Sequence, residues 1–112
     1  MLLHIITTAG WAAAQSAGVI TPNEGDEFVH CSDRGVVHVS AGKFFHGQSG
    51  LLLLVIDPKL VEVPVRWEPV PDSPLWFPHV YGPILVSAVT EVHDFPSEPD
   101  GSFVLPEAVA VL

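Results

Sequence analysis

Basic residues and cysteines are scarce in this sequence. Only 4 Lys and Arg residues stand against 13 Asp and Glu residues, which gives a formal net charge of −9. A chain this acidic lacks the positive surface that duplex nucleic acid or an anionic membrane attracts, so we expect neither as a partner. The single cysteine, Cys31, excludes an intramolecular disulfide and fits a reducing compartment. No signal peptide is recognisable and the longest apolar run, Leu51–Ile56, is too short to cross a bilayer, so we expect a cytoplasmic protein.

Several motifs that carry known chemistry are also absent. The sequence has no Cys-x-x-Cys and no His-x-x-x-His pair, which are common in zinc sites. It has no Gly-x-Ser-x-Gly nucleophile elbow and no glycine-rich phosphate loop. We therefore predict no resident metal, and we expect neither an α/β-hydrolase nor a P-loop nucleotidase.

The residues that are present predict a compact α+β fold in one domain, residues 1–112. Hydrophobic residues make up 48% of the 112 residues, enough for a substantial core. Helices are predicted over residues 9–17 and 34–45, the first with Thr7 or Thr8 as N-cap and Gly18 at its end. The predicted strands cover residues 2–6, 28–31, 51–56, 61–67, with Pro64 marking an edge strand or a bulge, and 84–93. Residues 76–83 are aromatic and turn-like and give no clear assignment.

Residues 28–32, Phe-Val-His-Cys-Ser, combine an imidazole, a thiol and a hydroxyl within a β-prone stretch. Side chains alternate along a strand, so His30 is predicted to share a face with Phe28 and Ser32. Cys31 then points to the opposite face, where a packed core residue is expected rather than a nucleophile.

Histidines on two predicted strands suggest a cleft. His4 and His30 each lie in an apolar run and are followed within a few residues by a hydroxyl, and His79 lies in an aromatic turn. Unpartnered buried imidazoles cost free energy, which favours a functional site, although each histidine alone also fits a satisfied core residue. A three-histidine zinc site from His4, His30 and His79 is an open alternative. His38, His46 and His93 are interpreted as surface residues.

Several motifs in the same order resemble the bacterial "domain of unknown function 952" family, and they extend over nearly the whole chain. They are Leu3-His4-Ile5-Ile6-Thr7 with Trp11, residues 28–32, Phe44-Phe45-x-Gly47, residues 51–57, Val65-Arg66-Trp67-Glu68 and residues 77–83. The resemblance implies an ADP-ribosyltransferase-like fold, with a small split β-sheet core, two flanking helices and a cleft that binds NAD in relatives. In the transferases a first-strand histidine contacts the adenosine ribose and a later glutamate is catalytic; here His4 and Glu68 occupy comparable positions. His30 stands where the transferases have tyrosine, and the motif around it is similar to one in RNA 2′-phosphotransferases.

We therefore expect a small protein that binds NAD or a related nucleotide in a histidine-lined cleft, with ADP-ribosyl or phosphoryl transfer as the activity this suggests. The expected catalytic residues are His30, Glu68 and His79. The expected cofactor-binding residues are His4, Thr7, Trp11, Ser32 and Tyr81. A non-catalytic binding or regulatory module and a zinc-dependent hydrolase stay open as alternatives.

Overall fold

The computed structural model describes residues 1–71 and 73–112. Antiparallel strands pair into two three-stranded sheets and one two-stranded ribbon, and α-helices flank them. In chain order the elements are β1 (Leu2–Thr7), α1 (Thr8–Ala17), β2 (Val19–Ile20), β3 (Val29–His30), α2 (Val37–Phe44), β4 (Leu51–Ile56), β5 (Val65–Pro69), β6 (Trp76–Val80), β7 (Ile84–Leu85), β8 (Val89–Asp94) and α3 (Glu107–Ala110), with 3₁₀ turns at Pro58–Leu60 and Val86–Ala88. The α+β class is confirmed, with a third short helix that the sequence analysis did not assign.

The first sheet has the order β1-β4-β8, and its central strand is apolar on both faces. Leu53 and Leu54 on β4 are both fully buried, but they point into different hydrophobic cores. The first core lies where this sheet meets α1, the β2-β7 ribbon and the second sheet. The second core lies on the opposite face, against α2 and the C-terminal segment. The uninterrupted run of apolar residues in β4 is therefore required by a strand that is covered on both sides.

Helix α1 begins and ends as the sequence predicts. The Thr7 hydroxyl accepts a hydrogen bond from the Gly10 amide at 2.9 Å, so Thr7 is the N-cap. Gly18 ends the helix in the left-handed conformation, with φ of 83°, and its amide donates to the Ala14 carbonyl.

The predicted second helix, residues 34–45, is shorter in the structure. The Asp33 carbonyl accepts from the amides of Val36 and Val37, so a turn precedes α2, and the helix begins at Val37. The helical spacing of Val37, Ala41 and Phe44 predicts that all three lie on one buried stripe. Val37 and Ala41 are fully buried against the second core, but the prediction is wrong for Phe44, which lies on the last turn outside that core and is 61% exposed.

The second sheet has the order β3-β6-β5, and its central strand occupies residues that the sequence left unassigned. Proline rarely fits a central strand because it cannot donate to the ladder. The Pro78 carbonyl accepts from the Cys31 amide, and the ladder of β3 ends at His30. The missing N–H of Pro78 therefore falls beside the end of a two-residue strand and leaves little of the ladder unpaired.

The strand predicted over residues 61–67 is in fact β5, an edge strand that begins only after Pro64. Val61, Val63 and Val65 pack on the first core, in agreement with their alternation. The same period-two alternation predicts that Trp67 shares this face, and this is wrong, because Trp67 does not pack against the first core and is 49% exposed. The two sheets meet where the backbones of Leu3 and Ser32 exchange two hydrogen bonds, at 2.8 and 2.7 Å.

Candidate functional site

One face of the second sheet points away from the first core and gathers aromatic and charged side chains. Strand alternation and register explain the gathering, because His79 pairs with His30 on one side and with Arg66 on the other. We call this surface the site face and define it by Phe28, His30, Arg66, Glu68, His79 and Tyr81.

Glu68 is the centre of a hydrogen-bonded cluster on the site face. Its Oε1 atom accepts from the Tyr81 hydroxyl at 2.5 Å and from His79 Nδ1 at 2.9 Å. The hydrogen bond from Tyr81 has the largest effect in lowering the pKa of Glu68, and the hydrogen bond from His79 lowers it further. The hydrogen bond between Tyr81 and Glu68 in turn raises the pKa of Tyr81. At neutral pH the cluster therefore holds an ionised carboxylate beside a protonated phenol, with 34% of the Glu68 side chain exposed.

His79 is the buried member of this cluster. The Phe28 ring stacks on its imidazole with centroids 3.9 Å apart and an interplanar angle of 13°, and only 5% of the His79 side chain is exposed. Because Nδ1 donates to an ionised carboxylate, the imidazole is held in one orientation. Its Nε2 atom is buried and has no hydrogen-bond partner among the described residues. His79 is thus placed to position Glu68.

His30 and Arg66 lie beside the Glu68 cluster and are more open to solvent. The His30 imidazole meets His79 edge-on with centroids 5.6 Å apart, and its Nε2 lies 3.2 Å from the Asp26 carboxylate. The Arg66 guanidinium lies over the Tyr81 ring at 4.9 Å from the centroid, a cation–π contact. Arg66 therefore brings a fixed positive charge to a face that also carries an ionised carboxylate.

His4 belongs to a different surface. Its Nδ1 lies 2.6 Å from the carbonyl oxygen of His30, and because a carbonyl only accepts, Nδ1 carries the hydrogen. Burial lowers the pKa of His4, so the imidazole is neutral at neutral pH. The His4 side chain lines a groove of about 500 Å³ along α1, whereas His30 and His79 are not part of its lining.

The structure separates the other predicted contact residues as well. Thr7 lines the same groove as His4. Trp11 packs against the first core, and Ser32 is buried at the junction of the two sheets. Of the five predicted cofactor-binding residues, Tyr81 alone lies on the site face. The single cleft expected from His4, His30 and His79 is thus divided, because strand register joins only the last two.

His4, His30 and His79 do not form the three-histidine zinc site that the sequence left open. Within residues 1–71 and 73–112, no group of three or more His, Cys, Asp or Glu side chains could hold a metal ion. His4 uses Nδ1 on a backbone carbonyl, and His79 uses Nδ1 on Glu68.

Cys31 is a packed core residue, as predicted. It is 3% exposed, and burial raises the pKa of its thiol to about 12, so it is almost wholly protonated at neutral pH. Among the histidines interpreted as surface residues, His38 and His46 are exposed. His93 departs from that interpretation, because it is half-buried on β8 and lies 2.7 Å from the Glu91 carboxylate.

The sequence analysis missed Asp26 and the groove along α1. Asp26 comes four residues before His30, but this spacing indicates contact only in a helix, and here a loop brings the two together. Apart from Phe45, the residues that line the groove all lie within residues 4–24, in β1, α1, β2 and the loop that follows β2. The groove forms only where these elements pack against one another, and side-chain periodicity within each element does not predict it.

These features define a small α+β protein with a carboxylate–imidazole–phenol cluster on one sheet. The chain belongs to the family described as "Protein of unknown function (DUF952)", which it matches over residues 5–92. No curated protein matches it. Within the described residues, no helix is both long and apolar enough to span a membrane.

Solved structures of protein CC0527 from Caulobacter crescentus are similar to this chain over nearly its full length. The crystal structure has 31% sequence identity and a TM-score of 0.86, and the match covers 97% of both chains. The solution NMR structure has 33% identity and a TM-score of 0.79, with 99% of this chain and 97% of that chain covered.

Proposed function

We propose that this protein binds NAD or a related nucleotide on the site face and that Glu68 makes it a glycosyl transferase acting on the nicotinamide–ribose bond. The observation that carries the proposal is the ionised Glu68 carboxylate, held by two donors beside Arg66 on a solvent-reachable face. The resemblance to the ADP-ribosyltransferase-like fold supports it, and two small sheets that meet at one junction are compatible with a split-sheet architecture.

The chemistry asks for a fixed negative charge. Breaking the bond between nicotinamide and ribose develops an oxocarbenium-like cation on the sugar, which a preorganised carboxylate stabilises. His79 and Tyr81 both bind Oε1 of Glu68, and no described residue donates a hydrogen bond to Oε2. In the proposal Oε2 faces the ribose, and His79 and Tyr81 are positioning residues that keep the carboxylate ionised and oriented.

The phosphates of a nucleotide need positive charge. Arg66 is the basic side chain of the site face, and in the proposal it pairs with a phosphate while the neighbouring His30 is the group that can exchange a proton with the acceptor. Phosphoryl transfer is a related reaction in which Arg66 and His30 could have the same two roles. We further propose a cytoplasmic location, where the free thiol of Cys31 stays reduced.

A non-catalytic binding module is the second candidate function. It is favoured by the fact that both donors to Glu68 come from β6 or from the residue just after it, while Glu68 lies on β5. The cluster therefore also fastens an edge strand to its neighbour, and that role requires no turnover.

Glu68→Gln separates these functions. The substitution keeps the size and the acceptor oxygen but removes the charge, so nicotinamide release from NAD is expected to fall by about a hundredfold or more while NAD binding is retained. Binding is followed by the NMR signals of His30 and Tyr81, and release by chromatography. The matched control is Glu62→Gln, an exposed glutamate outside the site face, which is expected to behave as the parent protein.

Three outcomes decide between the candidates. Saturable shifts on the site face with release that depends on Glu68 support the transferase. Saturable shifts without any release in the parent protein favour the binding module. Absence of shifts at millimolar NAD contradicts both.

A further inference from the structure

The groove that runs along α1 is separate from the site face and has its own chemistry. One wall is the small-residue face of α1, and the opposite walls are aliphatic and aromatic side chains together with the loop after β2. The lining includes His4, Ala13, Ala14, Ala17, Glu24 and Phe45. Its volume of about 500 Å³ is that of a small-molecule site.

His4 gives this groove a hydrogen-bond acceptor of fixed identity. Its Nδ1 hydrogen is committed to the His30 carbonyl, so the neutral ring presents a lone pair at Nε2. Nε2 has no hydrogen-bond partner among the described residues, and the His4 side chain lines the groove. A ligand that pairs with Nε2 must therefore bring a donor.

The charge of the groove favours a cationic ligand over an anionic one. Among the described residues that line the groove there is no Lys or Arg, and because His4 is neutral, Glu24 is the one charged side chain. The chain as a whole carries a formal net charge of −9, which attracts cations and repels anions. A phosphate or carboxylate would enter the groove without a partner, whereas an ammonium would find a carboxylate, a neutral imidazole and the Phe45 ring.

We propose that the α1 groove is a binding site for a small organic amine. The apolar body of the amine lies on Ala13, Ala14 and Ala17, and its ammonium group donates to His4 Nε2 and pairs with Glu24. The two proposed sites share no side chain, because His30 contributes its imidazole to the site face and only its backbone carbonyl to His4.

Three probes of one skeleton test the charge selection: benzylamine, benzyl alcohol and benzoate. Each is titrated into the ¹⁵N-labelled protein near neutral pH, and the signals of α1 and of the His4 imidazole are followed. Benzylamine is expected to bind at least about tenfold more tightly than benzoate, with the alcohol between them. Added salt is expected to weaken the binding of benzylamine and to leave that of the alcohol unchanged.

Two matched pairs of variants locate the site. Ala13→Leu fills the groove and is expected to abolish binding of both benzylamine and benzyl alcohol, whereas Ala12→Leu, an exposed neighbour on α1 outside the lining, is expected to preserve it. Glu24→Gln is expected to weaken benzylamine about threefold without affecting the alcohol, and Glu27→Gln, outside the lining, serves as the control.

The proposal is overturned by any of four results. These are benzoate binding as tightly as benzylamine, unchanged binding in Ala13→Leu, shifts that map away from the groove, and no saturable binding of benzylamine at millimolar concentration. The nucleotide proposal is tested separately, by NAD turnover in Glu68→Gln. If that proposal fails, the amine proposal is unaffected.

Discussion

At the scale of single residues, different hydrogen-bond partners assign different roles to the histidines. The His30 carbonyl fixes the tautomer of His4, and the Glu68 carboxylate fixes the orientation of His79. The His30 ring, by contrast, is more than half exposed and pairs with Asp26. Three imidazoles that look alike in the sequence are therefore a neutral acceptor, a positioning residue and an exposed side chain that contacts Asp26.

His4 is expected to make the protein less stable as the pH falls. Its pKa is lowered in the folded state, so between the folded-state pKa and the ordinary histidine pKa of 6.5 the unfolded chain binds more protons. The free energy of unfolding therefore rises with pH across this window, and the contribution is complete above pH 6.5. His4→Asn keeps a donor for the His30 carbonyl and cannot titrate, so the pH slope is expected to become smaller.

Urea unfolding at several pH values across this window measures the slope. His38→Asn, on the exposed side of α2, is the control and should retain the parent slope. An equal slope in His4→Asn and the parent protein would show that His4 is not the group responsible.

Cys31 is expected to resist alkylation while the protein is folded. Its thiol has a pKa of about 12 instead of 9.0, so the thiolate population at neutral pH is about a thousandfold lower than for an unperturbed thiol. Reaction with iodoacetamide should therefore proceed at the rate of global unfolding and become fast in denaturant. Rapid labelling of the native protein, followed by mass spectrometry, would contradict the buried environment.

At the scale of the elements, local chemistry of single residues sets several boundaries. Gly18 ends α1 in the left-handed region, and Pro64 precedes the first residue of β5. Asp57 caps the 3₁₀ turn that follows β4, through its carboxylate and the Lys59 amide. The sequence predicts the end of α1 at Gly18 correctly, but it places the start of the β5 strand at residue 61, and the structure begins that strand only after Pro64.

A pair of glycine substitutions tests this argument. Gly18 has a φ of 83° and open space around it, so Gly18→Ala is expected to destabilise the protein by about 1 kcal/mol through backbone strain alone. Gly42 lies inside α2, also with open space, and Gly42→Ala is expected to stabilise by about 0.5–1 kcal/mol. Thermal unfolding of both variants gives the sign, and the same sign for both would refute the conformational explanation.

At the scale of the whole molecule, β4 joins two cores. Alternate residues of this strand enter the first core with the second sheet and the second core with α2. Neither core can lose β4 without exposing the other, which is the physical basis for predicting one domain over residues 1–112.

The cores are expected to unfold together. Leu54→Ala in the first core and Leu53→Ala in the second should each cost about 3 kcal/mol, because both side chains are fully buried. In each variant, tryptophan fluorescence and far-UV circular dichroism should give the same shifted midpoint. Leu60→Ala, at a position 47% exposed, is the control and should stay within about 0.5 kcal/mol. Separate midpoints for the two probes would indicate two folding units.

The sequence by itself determined the elements whose signals are local. The apolar run of β4, the capped helix α1, the burial of Cys31 and the edge position of β5 all follow from side-chain periodicity, capping chemistry and the missing N–H of proline. The order of strands and helices was enough for the α+β class, and the family motifs were enough for the family.

Only the tertiary structure decided which side chains meet. The cluster of Glu68, His79 and Tyr81 exists because β5 and β6 pair in one particular register. A shift of one residue in this pairing would have placed Glu68 on the opposite face of the sheet. His4 lies on β1, which pairs with β4 in the other sheet, and it lines a separate groove. Register and long-range packing depend on the whole set of contacts, so no single stretch of the sequence contains them.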